Sequence, residues 1–368
     1  MKKIHLIIFL AMAVYFTANA QSNYKEILRE TDESFFKTER AKNIGDQLLA
    51  FQRVTGGWPK NIDMVKPMNE TELRLVLQDK SRQDDSTTDN DATNMQMLYL
   101  ARLYKATKID KYREAFCKGV EYLLSGQYDN GGWPQFWPQK VGYQYHITFN
   151  DNAMVNTMLM LRDIYLMNTP FDKTLTNKQL RNRSKVAFAK GVECILKCQI
   201  VTNGKSTVWC QQHDHVTLEP APARSYELRS YCSAESAGIV RLLMEIPNPT
   251  EAIKKAIRGA MIWFDKYKLT GVRIERTGEP GSPNRNTFLV KDATSTALWA
   301  RFYDLENCEP FVCDRDGIPR KNLSEIGLER RNGYSWYNNQ PAELYPLYQK
   351  WAEKYDKENI LNISLQPR

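Results

Sequence analysis

The chain lacks the short motifs that mark several large enzyme classes. It contains no GxSxG, HExxH, P-loop or GxGxxG sequence, which argues against a serine hydrolase, a zinc protease, a nucleotide hydrolase or a dinucleotide enzyme. Beyond the opening segment no apolar run reaches the roughly 18 residues that a membrane-spanning helix needs, and the mean hydropathy is −0.56. We therefore expect no membrane span.

Cysteine is scarce as well. Seven cysteines in 368 residues are an odd number in a long chain, which does not fit a disulfide framework. Cys194 and Cys198 are four residues apart in a helical stretch, and Cys308 and Cys313 bracket a short loop. The spacing therefore allows one or two disulfide bonds.

Histidine is the rarest of the metal-ligating residues, with four in the chain. His213 and His215 flank Asp214, and side chains two apart on an extended segment share a face. Because no third ligand is near in sequence, the pattern favours a loop that contacts substrate or supports structure over a metal pair.

The opening segment has the pattern of a secretory signal peptide. Lys2 and Lys3 precede an apolar run that ends in the small-residue exit Ala18-Asn19-Ala20. We predict a signal peptide over residues 1–20, an N-terminal helical segment over 21–48 and a catalytic domain over 49–368. The protein is then exported, to the periplasm or the medium.

The charge indicates the kind of partner. The net charge is +8 and is spread along the chain, without a basic arm or a basic stretch interleaved with aromatic residues. Nucleic acid is therefore a poor candidate. An anionic extracellular polymer fits better.

An internal repeat is visible by eye. Residues 51–61, FQRVTGGWPKN, return as GQYDNGGWPQF over 126–136, and a weaker copy, CQIVTNGKSTVW, ends at Trp209. A second unit, TDNDA, FNDNA, SAESA and VKDA, ends at Ala92, Ala153, Ala237 and Ala293. We expect it to open four helices with polar first turns. These polar residues either cap the helices or gather on one rim as an acidic site.

Helical periodicity dominates the remaining sequence. Apolar residues recur three and four apart over residues 97–104, 120–124, 158–166, 187–196, 238–246, 252–264 and 298–305, whereas strand-like alternation is short, as over 271–276. Helix pairs in tandem predict an all-α fold, an α/α toroid or incomplete (α/α) barrel, with long loops and short β-strands forming a cleft.

Clusters of oxygen-bearing side chains are the strongest chemical signal. They comprise Asp84, Asp85, Asp89, Asn90 and Asp91 in one segment and Asn150, Asp151 and Asn152 in another. Such side chains either bind a hard cation such as calcium when they converge or form solvated turns.

Three arginines are candidates for binding a carboxylate. Arg224 lies among prolines and small residues, and Arg315 lies in a turn between two acids. A guanidinium held in this way can bind a carboxylate with two hydrogen bonds. Arg301 lies in a predicted helix, where a structural ion pair is the ordinary interpretation.

Eight motifs occur in a familiar order: GGWPKN, TTDNDATNMQM, GGWPQFWP, ITFNDNAM, APARSYE, WARFYD, CDRDG and ERRNGYSWY. With them the sequence closely resembles the family 10 polysaccharide lyases, which are pectate lyases, from about Ala50 to Trp351. The resemblance implies an α/α toroid with a deep cleft. It also implies calcium-assisted β-elimination on polygalacturonate, with Ca²⁺ as the cofactor.

The resemblance also suggests roles for single residues. Asp89, Asn90 and Asp151 would hold calcium or the uronate carboxylate that the metal bridges. Arg224 would grip a substrate carboxylate, and Arg315 would abstract the C5 proton, with Arg301 as the fallback. An arginine can act as a base only where other cations disfavour its charged form.

The aromatic motifs and two departures complete the suggested site. Four side chains would line the cleft, unless the tryptophans of the GGWP turns pack between helices: Trp58, Lys60, Trp133 and Trp137. Asn152 stands where a second acid often follows, and Asp91 where a small residue is common, so Asp91 could compensate for the charge.

Two other functions remain open. An inverting glycoside hydrolase needs two carboxylates roughly 6.5–9.5 Å apart, which Asp89 or Asp91 could form with Asp151. A non-catalytic protein that binds acidic polysaccharide would break no bond. We expect a monomer. Endo or exo action, methylation preference and product length are open.

Overall fold

The computed structural model describes residues 24–365. The chain forms two compact units. The first unit contains the residues up to Asp129 together with Trp133–Val141 and Asn156–Lys190, and the second unit contains Asn130–Gly132, Gly142–Val155 and the residues from Gly191 onward. The predicted signal peptide lies outside the described residues. Within residues 24–365 no helix has both the length and the apolar character needed to cross a bilayer.

The first unit is built mainly from helices. Residues 24–28 are helical, and four longer helices follow: α1 (Glu39–Phe51), α2 (Glu70–Gln78), α3 (Asn94–Thr107) and α4 (Asp110–Ser125). Two further helices, α5 (Ala153–Leu166) and α6 (Lys178–Cys198), contain residues of both units.

The second unit combines helices with short strands. Its helices are α7 (Ser233–Met244), α8 (Glu251–Tyr267), α9 (Leu328–Gly333) and α10 (Leu344–Tyr355). Its strands are β1 (Ile147–Thr148), β2 (Val201–Thr202), β3 (Lys205–Ser206), β4 (Gln212–His213), β5 (Tyr231–Cys232), β6 (Val272–Thr277), β7 (Asn286–Lys291), β8 (Trp299–Ala300), β9 (Phe302–Tyr303), β10 (Pro310–Cys313), β11 (Pro319–Arg320) and β12 (Tyr337–Asn338).

The helices begin and pack as their sequences predict. The side chain of Asn69 caps α2 by accepting a hydrogen bond from the N–H of Glu72, whose own side chain reaches back to Asn69. Thr250 caps α8. The apolar positions of α8 recur at helical spacing and are buried: Ile253, Ala256, Ile257, Ala260, Met261 and Phe264.

The strands pair over short stretches. One sheet of four strands has the order β11-β10-β9-β5, and β6 and β7 form a separate antiparallel hairpin. The pair β1 and β4 is antiparallel, with Ile147 opposite His213. This pairing brings the segment before Asn150 next to the loop that follows His213.

Hydrogen bonds confirm the internal repeat. In each copy of the repeat, a buried indole N–H donates a hydrogen bond to a backbone carbonyl near the end of the preceding helix. These bonds are Trp58 to Leu48, Trp133 to Leu123, Trp209 to Ile195 and Trp299 to Phe264. The repeated glutamines Gln52, Gln127 and Gln199 likewise donate to carbonyls of Ala115, Ala187 and Ala256. Each copy therefore fixes its loop on a helix in the same way.

Two sequence expectations about elements are wrong. Residues 298–305 form β8 and β9 instead of a helix, because their aromatic side chains pair across short strands with β12, β10 and β5. The fourth expected helix start is a strand end followed by a turn, in which Asp292 accepts a hydrogen bond from the N–H of Thr294. An eight-residue apolar pattern does not separate helix from strand.

All seven cysteines are free thiols. The Sγ atoms of Cys194 and Cys198 lie 3.9 Å apart within α6. The bridges that the spacing left open are therefore not formed.

Candidate functional site

Asp89 is the most buried acid of its segment. Its carboxylate forms an ion pair with Lys60 and accepts a hydrogen bond from Nε2 of Gln135 at 2.9 Å. The ammonium of Lys60 also lies over the ring of Phe136, 5.2 Å from its centroid. Two predicted site residues, Asp89 and Lys60, thus contact each other in the first unit.

The segments that contain Asp89 and Asp151 share an unusual backbone. Asn90 and Asp91 have φ values of 54° and 66°, and Asp151 and Asn152 have φ values of 49° and 58°. Asparagine and aspartate tolerate this left-handed conformation better than other residues that carry a side chain. The match confirms that the TDND and FNDN segments are copies of one turn.

The remaining acids of the first cluster are bound by cations or amides. Asp91 pairs with Arg29 at 2.7 Å and accepts a hydrogen bond from Asn156 at 2.8 Å. Asp85 binds the guanidinium of Arg53 with both oxygens. Because its carboxylate is engaged in this way, Asp91 is a poor replacement for a missing metal ligand.

Asn90 is held by its neighbours in the first unit. Its side-chain amide donates to Oδ1 of Asn61 at 3.1 Å, and its carbonyl accepts a hydrogen bond from Lys25 at 3.2 Å. Its predicted role, as a ligand of calcium or substrate, stays a prediction.

The tryptophans of the GGWP turns do not line a cleft. Trp58 and Trp133 are 0% exposed, and their indole N–H groups are used by the helix carbonyls described above. Trp137 is also buried and stacks on Tyr122, with the ring centroids 4.2 Å apart. For Trp58 and Trp133 the expectation of substrate contact is therefore wrong, and the alternative, packing within the core, fits. The contact predicted for Trp137 stays a prediction.

Asp151 and Asn152 present oxygen atoms in the second unit. The Asp151 side chain is 44% exposed, and one of its oxygens lies 3.9 Å from Nη2 of Arg301. Oδ1 of Asn152 is buried and has no hydrogen-bond partner among residues 24–365. A Cβ atom on Gly238 would lie 2.1 Å from this oxygen, so the glycine leaves room for the amide.

Arg301 is a buried cation of the second unit. Its guanidinium forms an ion pair with Glu235, which opens α7, and donates to Oδ1 of Asn150 at 3.1 Å. Burial acts to lower the pKa of Arg301, but Glu235 and the other negative groups nearby together outweigh burial and raise that pKa. The alternative interpretation of Arg301, a structural ion pair, fits this arrangement.

Glu227 joins several polar side chains into a network. It forms a two-pronged ion pair with Arg224 and accepts hydrogen bonds from Gln211 at 3.0 Å and from the Tyr334 hydroxyl at 2.7 Å. Gln211 also donates to Asn150 at 2.7 Å, so the network extends toward Arg301. Burial acts to raise the pKa of Glu227, but the hydrogen bonds and charge of Arg224 outweigh it and lower that pKa.

Three guanidinium groups surround the ring of Tyr226. Those of Arg224, Arg315 and Arg330 lie 5.0, 5.8 and 4.5 Å from the ring centroid. The Arg224 side chain is 43% exposed and that of Arg315 is 63% exposed. Arg315 is bound by Glu329 through two hydrogen bonds of 3.0 Å, and this carboxylate raises the pKa of Arg315.

Sequence reasoning missed the residues that hold this network together. Glu227 and Tyr334 lie in the ARSYE and GYSWY motifs, but neither was assigned a role. Gln211 aligns with Arg301 when the copies are superposed on Trp209 and Trp299. That alignment was the available signal that position 211 faces the site.

His213 is not available to form a metal-binding pair with His215. His213 is fully buried; its Nε2 accepts a hydrogen bond from the N–H of Cys210, and its Nδ1 donates to the carbonyl of Leu218 at 2.8 Å. Burial lowers the pKa of His213 to about 4, so the ring is neutral near pH 7. It supports the loop.

The second unit thus carries an exposed carboxylate and a half-exposed guanidinium on a buried polar network. Asp151 and Asn152 can supply oxygen ligands to a hard cation. Arg224 can bind a carboxylate with two hydrogen bonds. This combination suits an anionic ligand that also takes a divalent cation.

Comparisons with known proteins agree with this chemistry. Residues 52–345 match the Pectic acid lyase family. The family 10 polysaccharide lyase from Cellvibrio cellulosa superposes with a TM-score of 0.76 and is 35% identical, covering 91% of this chain and 96% of its own. An aspartate-to-alanine mutant of that enzyme, in complex with trigalacturonic acid, gives a TM-score of 0.75 and 34% identity with the same coverage. No curated protein matches the chain.

The likeness confirms the predicted fold class, an α/α toroid with long loops and short strands. The family match spans most of the chain and lies at the residues from which the resemblance was drawn. The chain therefore belongs to the pectic acid lyase family and is a polysaccharide lyase.

Proposed function

We propose that the chain is a calcium-dependent pectate lyase that cleaves α-1,4-linked polygalacturonate by anti β-elimination. Its products are 4,5-unsaturated oligogalacturonates. The network that links Asp151, Arg301, Glu227 and Arg224 carries this proposal, because it holds groups for a cation and for a uronate carboxylate on one buried framework. The complex of the Cellvibrio cellulosa enzyme with trigalacturonic acid supports a galacturonate substrate.

The chemistry requires a cationic environment. The hydrogen on C5 of a uronate is weakly acidic, and its removal places negative charge on the neighbouring carboxylate. Calcium, when bound, neutralises that carboxylate and stabilises the charge that develops. The chain must supply oxygen ligands for the ion and a base for the proton.

The oxygen donors fit calcium best at Asp151. Its carboxylate is exposed, and the adjacent Oδ1 of Asn152 is buried without a hydrogen-bond partner among the described residues. Asp89 is a second candidate, from the first unit, but Lys60 already compensates its charge. We propose Asp151 as the main calcium ligand, with Asp89 and Asn90 as further candidates.

Arg224 is better supported as the base than Arg315. Arg315 lies in solvent, where water stabilises its charge, and Glu329 binds it. Arg301 is only 10% exposed, and its guanidinium is engaged by Glu235. Arg224 is held by a buried carboxylate, and its guanidinium, like those of Arg315 and Arg330, lies within 5.8 Å of the Tyr226 ring centroid. Burial acts to lower the pKa of Arg224, but the hydrogen bond and charge of Glu227 raise it overall. The neighbouring guanidinium groups and a bound calcium ion would therefore have to offset Glu227 for Arg224 to act as the base.

A hydrolase is less well supported. An inverting glycosidase needs a carboxyl group that carries a proton as its general acid. The three acids of this alternative, Asp89, Asp91 and Asp151, form ion pairs with Lys60, Arg29 and Arg301.

The test is a continuous ultraviolet assay for the unsaturated product on polygalacturonate. Absorbance should rise with added calcium and stop with a chelator. Arg224→Lys should reduce kcat by at least about 100-fold, the lower end for loss of a general base, whereas Arg315→Lys should reduce it less. Arg183→Lys, at a surface ion pair with Glu121, is the matched control.

Three outcomes would contradict the proposal in different ways. Reducing ends without ultraviolet absorbance would indicate hydrolysis. Binding of polygalacturonate without either signal would indicate a non-catalytic protein. Loss of elimination in Arg315→Lys with Arg224→Lys active would return the base to Arg315.

We also propose that the protein is exported as a monomer. The opening lysines, apolar run and small-residue exit support cleavage after Ala20. Mass determination of the protein recovered from periplasm and medium, with its sedimentation coefficient, tests both statements.

A further inference from the structure

His146, Asp214 and His215 form a cluster of possible metal ligands in the second unit. One ligand atom from each lies within 4.8 Å of the others, and all three residues are partly buried. Among residues 24–365 this is the one group of three or more histidine, cysteine or acidic side chains that meets this criterion. The calcium ligands proposed above are not part of it.

The strand pair β1 and β4 brings these residues together. Because Ile147 lies opposite His213, His146 and Asp214 come at the next position of the antiparallel pair. Nδ1 of His146 lies 3.8 Å from Oδ2 of Asp214. This nitrogen is buried and has no hydrogen-bond partner within the described chain.

The loop holds Asp214 in one orientation. Its Oδ1 accepts hydrogen bonds from the N–H groups of Val216 at 2.9 Å and Thr217 at 2.8 Å, so Oδ2 is directed to His146. The side chain of Asn130 donates to the carbonyl of His215 at 2.8 Å. Such outer contacts fix ligands before a metal binds.

The ligand set points to a transition metal. Two imidazoles and one carboxylate are typical of zinc, nickel and copper sites, whereas calcium prefers six to eight oxygen atoms. Ligands about 2.1 Å from zinc stand roughly 3.4 Å apart in a tetrahedron. The 3.8 Å between Nδ1 of His146 and Oδ2 of Asp214 therefore needs only a small side-chain rotation to reach that spacing. We propose that His146, Asp214 and His215 bind one divalent transition metal ion, with zinc as the reference ion.

A second turn of the chain shows that this turn does not itself require histidine. The Asp304 side chain accepts hydrogen bonds from the N–H groups of Glu306 and Asn307, and its backbone carbonyl accepts one from the N–H of Cys308. Asp214 makes the same three kinds of hydrogen bond in its own turn. Position 305 there is leucine. Asp304 is therefore a matched control for Asp214.

The consequence of metal binding would be mechanical. The ion would join the residue before β1 to the turn after β4. Asn150 and Asp151 lie two and three residues after the end of β1, so the bound ion would restrain the segment that carries the polar network. A higher melting temperature with zinc is expected, whether or not the protein is a lyase.

The experiment is a calorimetric titration of tag-free full-length protein with zinc chloride, after chelator treatment and in excess calcium. One ion per chain is expected. Asp214→Asn, His146→Gln and His215→Gln should each weaken binding by at least about tenfold, whereas Asp304→Asn should not. Cobalt in place of zinc should give the visible absorption of a four-coordinate ion.

Each other result overturns the proposal. Binding that calcium abolishes would place zinc at the calcium site. Equal binding by the wild type and the three variants would place it elsewhere, and absence of binding would mean that the cluster is a hydrogen-bonded loop. Circular dichroism of the metal-free variants checks that each is folded.

Discussion

At the scale of single residues, Glu227 determines how Arg224 is held. Its carboxylate is buried and binds the guanidinium with both oxygens. In Glu227→Gln the negative charge disappears while the shape is nearly kept, so the pKa of Arg224 should fall. If Arg224 is the base, the pH at which activity rises should move downward, although kcat/KM should fall about tenfold from lost positioning.

The pH profile separates two roles for this arginine. A loss of kcat/KM without movement of the profile would mean that Arg224 only grips the substrate. Glu329→Gln, which releases Arg315 from its ion pair, is the corresponding control and should leave the profile unchanged.

His213 should make stability depend on pH. Burial lowers its pKa to about 4 in the folded protein, whereas an exposed histidine titrates near pH 6.5. Between these values the unfolded chain binds more protons, so the free energy of unfolding should fall by ~3 kcal/mol as the pH falls from 6.5 to 4. Urea titrations across this range measure the slope.

The slope should be smaller in His213→Gln. His215→Gln retains the buried ring and should retain the slope. An identical pH dependence in the wild type and His213→Gln would show that other groups cause it.

At the scale of elements, the close approach of α7 to the FNDN turn links fold and site. A Cβ atom on Gly238 would collide with Oδ1 of Asn152, but the end of an asparagine side chain can move. Gly238→Ala should therefore change the free energy of unfolding by less than about 1 kcal/mol. It should nevertheless raise the calcium concentration needed for half activity about tenfold, because the neighbouring oxygens are displaced.

Removal of the amide tests this explanation. In the double variant Gly238→Ala with Asn152→Ala the collision is gone, so the double variant should have the same calcium requirement as Asn152→Ala alone. An additive effect of the two changes would exclude the contact as the cause.

The repeated indole hydrogen bond is a second element-scale feature. Trp209 donates to the carbonyl of Ile195 at 2.7 Å, whereas the buried indole nitrogen of Trp263 has no hydrogen-bond partner among residues 24–365. Trp209→Phe should thus lower the free energy of unfolding by about 1 kcal/mol more than Trp263→Phe. Equal losses of unfolding free energy in the two variants would mean that the smaller ring volume, and not the hydrogen bond, determines the effect.

At the scale of the whole molecule, local patterns predicted more than distant contacts. The helical class and the internal repeat could be read from the sequence, because both depend on periodicity within short windows. The cluster of His146 with Asp214 could not, since β-pairing joins segments far apart in sequence. The sequence left the burial of Trp58 as one of two alternatives and did not give the partner of Arg315, because tertiary packing determines both.

The net charge, +8 for the whole chain and +6 without Lys2 and Lys3 of the proposed signal peptide, acts at the same scale. Polygalacturonate carries a negative charge on each free uronate, so a positive protein attracts it over distances beyond contact. The screening length falls from about 10 Å at 0.1 M salt to about 3 Å at 1 M. At saturating calcium, sodium chloride should therefore lower kcat/KM several-fold on the polymer while kcat changes little.

A short substrate provides the comparison, because trigalacturonate carries few charges and should lose less kcat/KM over the same range. If salt instead lowered kcat with KM unchanged, salt would be acting on calcium binding or on the catalytic arginine, and not on the rate at which enzyme and polymer associate. Net charge speeds the encounter with any polyanion, whereas the network around Glu227 acts on a bound uronate. The two contributions should thus appear separately, the first in the salt dependence of kcat/KM and the second in kcat.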